Sequence, residues 1–208
     1  MLESIGYTGW ILHALIWLPM LGVGLVMWAE EERAKQIAFW WSLGVMVLSF
    51  GLWWSFDPGQ GAMQMETSIP WIASWGVSYS LGVDGISLFM VMLTTFSTSI
   101  AILGSFNYIK ERQRAFYALM LLLEAGVVGV FCATDVFLFY VFFEGVLIPM
   151  FIIIGVWGGP RRNYAAFKFF LFTLAGSVLM LLAILTMIFE AGTADMTVLL
   201  THDFPLGL

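Results

Sequence analysis

Glu124 and Glu144 each interrupt a run of apolar residues, in LMLLLEAGVVGVF and FLFYVFFEGVLIPMF. Loss of hydration favours a neutral acid, whereas a nearby cation favours the carboxylate. A cation that approaches and leaves such a group therefore unloads and reloads its proton. At bilayer depth a charged acid costs at least ~2.5 kcal/mol, and the chain bears that cost twice. The plainer reading is an acid kept protonated and hydrogen-bonded between helices, as other interhelical polar contacts are. Further along the fifth apolar run, Gly145 follows Glu144 directly and Pro149 comes four residues after that glycine. Proline has no N–H, so the carbonyl of Gly145 loses its helical partner and is left for water or neighbouring side chains.

The elements that position these acids must be membrane helices. Of 208 residues 61% are hydrophobic and 11% charged, with a mean hydropathy of +0.95. That leaves too little polar surface for a water-soluble domain. Ten Trp and 17% aromatic residues suit membrane interfaces. Six stretches match the ~20 apolar residues a spanning helix needs: 10–28, 37–56, 86–106, 115–133, 136–157 and 166–189. The predicted fold is all-α, a polytopic transmembrane helix bundle forming one membrane domain over 1–208. Only Thr134 and Asp135 join the fourth and fifth spans, which must form a tight antiparallel hairpin. Glu124 and Glu144 stand ten residues before Thr134 and ten after it. At ~1.5 Å per residue both lie roughly 15 Å from the turn, half of a ~30 Å core. Spacing leaves open whether they face each other.

The stretch 57–85 alternates in part through WIASWGVSYSLGVDG and carries Trp71, Trp75 and Tyr79. It is predicted to be an extended or hairpin segment at the membrane surface. Asp135 stands where an N-cap or first-turn acid is favourable. Lys168, a couple of residues inside the sixth span, is placed to snorkel toward the basic face. His13 is expected at the interface, and Gly126 and Gly129 at a close helix approach. The single cysteine, Cys132, excludes an internal disulfide and a thiolate metal centre. No CxxC, HExxH or Gly-rich nucleotide fingerprint occurs. Nothing in the sequence marks a haem, iron–sulfur, zinc or dinucleotide site. The start does not read as a cleavable signal peptide, because Glu3 stands in the first turn and no basic residue precedes the apolar run.

Charge sets the orientation. With alternating helices, Arg33, Lys35, Lys110, Arg112, Arg114, Arg161 and Arg162 share one side, and Lys168 starts the sixth span from it. The opposite side receives Glu3, Asp57, Glu66, Asp84, Asp195 and Asp203 and no Lys or Arg. The basic side is predicted to be cytoplasmic and the amino terminus to face out.

Three blocks carry a family resemblance. DVFLFYVFFEGVLIPMFIIIGVWGG at 135–159, YSLGVDGISLFMVMLTTF at 79–96 and KFFLFTLAGSVLMLLAIL at 168–185 stand in order. Together they resemble the antiporter-like subunit M of respiratory complex I, NADH:quinone oxidoreductase, called chain 4 in mitochondria. The resemblance implies a proton-translocating subunit of the membrane arm, driven by quinone chemistry elsewhere in the complex. It places the critical acid at Glu144, a supporting acid at Glu124 and the aspartate of the fifth helix start at Asp135. It implies no redox cofactor in this subunit, with NADH, FMN, iron–sulfur clusters and quinone held by partner subunits. The implied neighbours are the antiporter-like subunits L and N and small membrane subunits, and the implied location is a bacterial plasma membrane. Members of the family have about fourteen helices in two inverted repeats, with the partner lysines in later helices. This sequence is therefore expected to be the amino-terminal portion of a longer subunit. A subunit of a multi-subunit sodium/proton antiporter is the alternative, against which the Leu-Ile-Pro-Met run at 147–150 argues. A purely structural membrane-arm subunit is the third reading, against which the two mid-span acids argue.

Overall fold

A computed structural model describes residues 6–204. Glu3, counted above on the acidic side, lies outside them. Six helices are long and apolar enough to cross a membrane: α1 (Tyr7–Trp28), α2 (Glu31–Ser55), α3 (Gly85–Ser105), α4 (Gln113–Cys132), α5 (Val136–Trp157) and α6 (Arg162–Ala191). A short α7 (Met196–Leu199) follows. Helices α2 and α6 begin several residues before the predicted spans. Hydropathy marks the lipid-facing stretch, whereas a charged first turn continues the same hydrogen-bond ladder. Glu31 and Glu32 occupy the first turn of α2, where negative charge complements the helix dipole.

The termini are chemically defined. Asp84 caps α3 by accepting from the Ser87 N–H at 2.7 Å and the Ile86 N–H at 3.1 Å, and its own N–H donates to Ser87 Oγ at 2.8 Å. Gly192 closes α6 in the left-handed region at φ 69°.

The connection between α2 and α3 is the predicted hairpin. Strand β1 (Gln64–Ile72) pairs antiparallel with β2 (Val77–Val83) through a 3-10 turn at Ala73–Trp75 and Gly76 at φ 65°. A side chain at Gly76 would also meet the Gly192 carbonyl oxygen at 2.6 Å. The hairpin does not end the layer. The Thr134 N–H donates to the Ser80 carbonyl at 3.0 Å, and the Met196 N–H to the Thr134 carbonyl at 2.9 Å. The Val136 N–H donates to Ala194 at 2.9 Å, and Ala194 to Gly76 at 3.2 Å. Extended chain from four places thus covers the end of the bundle at which α4 meets α5.

Helix α4 is the centre of the molecule and packs against α1, α2, α3 and α5. The core forms two clusters along it. Ile11, Leu15, Val91, Val128 and Cys132 pack toward the hairpin end. Val26, Ala34, Ile102, Tyr117 and Leu121 pack toward the basic end. Helix α5 flanks α4, and α6 packs chiefly on α5.

Candidate functional site

The two acids are both near mid-span but occupy different surroundings. Glu124 is the twelfth residue of α4 and fully buried. Neither carboxyl oxygen has a hydrogen-bond partner among the described residues. Glu144 is the ninth residue of α5 and half-buried. One turn earlier on the same helix face stands Tyr140, whose hydroxyl lies near the Glu144 carboxyl and near Ser177, a buried serine of α6. The Glu144 Oε1 is buried without a partner.

The α4–α5 seam decides whether the acids meet. A side chain at Gly126 would strike Val146 Cγ2 at 2.6 Å, and one at Gly129 the Phe142 ring at 2.5–2.6 Å. Both glycines therefore admit α5 closely, as the sequence predicts. This register sets Glu124 within about one turn of Glu144 in depth, ~5 Å at 1.5 Å per residue. At about 100° per residue, however, Glu124 lies roughly 200° around α4 from Gly126, and Glu144 roughly 200° around α5 from Phe142. The carboxyls share a depth and point away from each other. Glu124 points into the bundle of α1 to α4, and Glu144 lies on the α6 side.

Asp135 is 1% exposed and is held by backbone. Its Oδ1 accepts from the Phe137 N–H at 2.9 Å and the Leu138 N–H at 3.0 Å, and its Oδ2 from the Ser78 N–H at 2.8 Å. It caps α5 and pins β2 to that cap. Burial pushes its carboxyl upward, the Asp195 charge adds to this, and the three N–H donors pull it back. Asp135→Ala should lower thermal stability by about 1–3 kcal/mol, because three buried N–H groups lose their acceptor. Asp135→Asn keeps one acceptor oxygen and should lose less, with transport retained. Normal folding of the Asn variant with abolished transport would instead make Asp135 a proton carrier.

Other expected residues fall as follows. Pro149 is buried inside α5, which continues through it to Trp157. Lys168 stands six residues after the start of α6, which begins at Arg162, four residues before the predicted span. With Arg161 and Arg162 it lines an open groove of about 740 Å³ between the basic ends of α5 and α6. Its Nζ sits 5.8 Å from the Tyr164 ring centroid. His13 stacks on Tyr79 of β2, with ring centroids 5.6 Å apart. Cys132 is free and buried. Among the described residues, no three His, Cys, Asp or Glu side chains converge as a metal site. Sequence reasoning missed Tyr140 and Ser177. The four-residue step from Tyr140 to Glu144 marks a shared helix face, but nothing in the sequence pairs that face with Ser177.

Fold and site together define a polytopic helical membrane subunit with acids at mid-span. The chain belongs to the NADH:quinone oxidoreductase/Mrp antiporter transmembrane family, whose profile matches residues 133–206, and is similar along most of its length to subunit M, or chain 4. It is 43% identical over 197 residues to NADH-ubiquinone oxidoreductase chain 4 of Marchantia polymorpha, which covers 93% of this chain and 40% of that protein. It is 46% identical over 177 residues to NADH-quinone oxidoreductase subunit M of Rhodobacter capsulatus, covering 85% of this chain and 34% of that one. Among solved structures, respiratory complex I from Thermus thermophilus with bound NADH matches with a TM-score of 0.79 and 27% identity, over 94% of this chain and 40% of that chain. The Mrp complex from a Dietzia species shares the fold, with a TM-score of 0.77 and 20% identity over 94% of this chain and 21% of that chain. The chain spans about two fifths of the length of the curated relatives it matches.

Proposed function

We propose that this chain contributes to a proton-translocating membrane subunit of an NADH:quinone oxidoreductase, with Glu144 as the principal proton-carrying acid, Glu124 in support and Asp135 as the cap that positions α5. The observation that carries this is the pair of acids at one depth on adjacent helices, in a family of complex I and antiporter subunits. Glu144 exchanges its proton on the α6 side, where the Tyr140 hydroxyl lies nearby. A cation from a later segment or a neighbouring subunit would favour the carboxylate on approach and the acid on withdrawal. NADH, FMN, iron–sulfur clusters and quinone belong to partner subunits in this reading. The neighbours are L- and N-type subunits and small membrane subunits, in a bacterial plasma membrane.

The test is the ion moved in inverted vesicles that carry the subunit in its complex. NADH oxidation should drive proton uptake without a sodium requirement. Sodium-dependent transport without NADH oxidation would favour the antiporter reading instead.

Orientation is tested separately. All eight Lys and Arg lie on or start from one side, which we place in the cytoplasm. Arg112 and Glu66 are both exposed, at opposite ends of the bundle. Arg112→Cys should react with an impermeant thiol reagent only from the cytoplasm, and Glu66→Cys only from outside. Cys132 should stay unlabelled from either side. Labelling of Arg112→Cys from outside would invert the topology.

A further inference from the structure

The cations of the basic rim are unevenly paired. Arg33 and Arg114 are held by Glu30 and Glu31, and Arg162 turns its guanidinium to the Val156 carbonyl at 2.7 Å. Among the described residues, Arg161 and Lys168 have no carboxylate partner. Both are exposed, and both line the groove between the basic ends of α5 and α6, whose described walls carry no acidic residue. Arg161 is also the N-cap of α6, makes no side-chain cap, and is followed by a first turn without an acid. The positive end of the helix dipole therefore adds to the two cations.

Below the rim, Tyr164, Lys168 and Phe172 follow one another at helical i, i+4 spacing and form one ridge along α6. At ~1.5 Å per residue, Lys168 stands about 9 Å and Phe172 about 15 Å below the start of the helix. The Lys168 Nζ lies 5.8 Å from the Tyr164 ring centroid, so its ammonium reaches back toward the rim, as a snorkelling lysine does. An apolar groove runs on either side of this ridge. One, of about 740 Å³, has Ile154 of α5 and Phe169 in its wall. The other, of about 520 Å³, has Phe167 and Leu171. Tyr164, Lys168 and Phe172 line both, and Phe172 stands 83% exposed between them.

We propose that this ridge is the binding site of one anionic diacyl phospholipid from the leaflet on the basic side. Its phosphodiester sits between Arg161 and Lys168 at the start of α6, and its two acyl chains lie one in each groove, astride Phe172. The chemistry of the walls selects this ligand. Two unpaired cations near headgroup level take an anion, and anionic lipids gather at basic pockets between helices on the cytoplasmic side. Tyr164 stands where an amphipathic ring meets the headgroups. The paired apolar grooves below lie at hydrocarbon depth and take two chains. An apolar helix laid on the same ridge would leave both cations unanswered. The inference is independent of the proton-carrying reading of Glu144.

The test uses the assembled complex in nanodiscs of phosphatidylcholine that contain a little photoactivatable phosphatidylglycerol. Adducts should concentrate between Ile154 and Phe172, and unlabelled phosphatidylglycerol should compete them away where added phosphatidylcholine does not. This competition is read on the native complex, so it decides the matter even if a variant does not assemble. Arg161→Gln and Lys168→Gln should each reduce the labelling about fivefold, the scale of one basic residue at an anionic membrane surface. Arg161→Lys should retain it. Lys110→Gln removes an exposed charge elsewhere on the basic side and should leave the labelling unchanged. A phosphatidylcholine probe with the same chains that labels this stretch equally would overturn the proposal, since it would show ordinary lipid contact. Absence of labelling from either probe would overturn it too, because protein would then cover the grooves. So would an equal fall in Lys110→Gln.

Discussion

Glu144→Gln is expected to leave the complex assembled and to lower proton uptake and coupled quinone reduction by about tenfold or more, the scale lost when a positioned proton carrier is removed. Glutamine matches glutamate in shape and can still meet the Tyr140 hydroxyl, so packing against α6 is kept. What it lacks is an exchangeable acid. Glu144→Asp retains the acid on a side chain one methylene shorter and should be milder than Glu144→Gln, because the exchangeable proton remains. Glu124→Ala should give a partial defect, smaller than that of Glu144→Gln, since water can bridge part of a relay that loses one member. Proton uptake at the native rate in a fully assembled Glu144→Gln complex would exclude Glu144 as the carrier. Total loss at Glu124 beside normal activity at Glu144 would exchange their roles.

Gly129→Leu is expected to cost most of the assembled protein. A Cβ there would lie 2.5–2.6 Å from three atoms of the Phe142 ring, closer than real contacts allow, so α5 or the ring must move. Overpacking of this kind typically costs about 1–3 kcal/mol. Here it falls on the contact that sets the depth of Glu144 relative to Glu124. Gly129→Ala should be destabilising but weaker than Leu. Phe142→Ala should rescue Gly129→Leu in part by clearing the ring. Gly104→Ala is the control, since nothing lies within 4 Å of its Cβ position. The readouts are the melting temperature in detergent and the amount of complex recovered from membranes. A Gly129→Leu variant as stable as Gly104→Ala would mean that the seam tolerates a wider separation.

The spans, the α4–α5 hairpin and the shared depth of the acids were legible because each depends on local quantities: apolar length, two connecting residues and rise per residue. The α2–α3 hairpin was legible from alternation and its aromatic residues. The directions of Glu124 and Glu144 were not, because a residue's angle on its helix has no meaning until the neighbours are placed. Gly126 and Gly129 held that information in part, since small residues mark the face that meets another helix. The early start of α6 at Arg162 was not legible, because hydropathy does not register a charged first turn. The cap role of Asp135 was half readable. Its two donors in α5 are local, but Ser78 lies 57 residues away and belongs to it only through the hairpin.

The layer of extended chain over the hairpin end has a mechanical consequence. Backbone hydrogen bonds stitch β2, the α4–α5 turn and the chain after α6 into one rim. At the basic end the helices are tied by side chains, among them the Arg114–Glu31 pair at 2.8 Å and the Trp157 indole on the Glu111 carbonyl at 3.0 Å. A bundle stitched along one rim and buttoned at the other deforms as tweezers do, with its pivot at the stitched end. Splaying of α5 from α4, which are joined only through Ala133–Asp135, is therefore widest at the basic rim and vanishes toward the rim that carries Asp135.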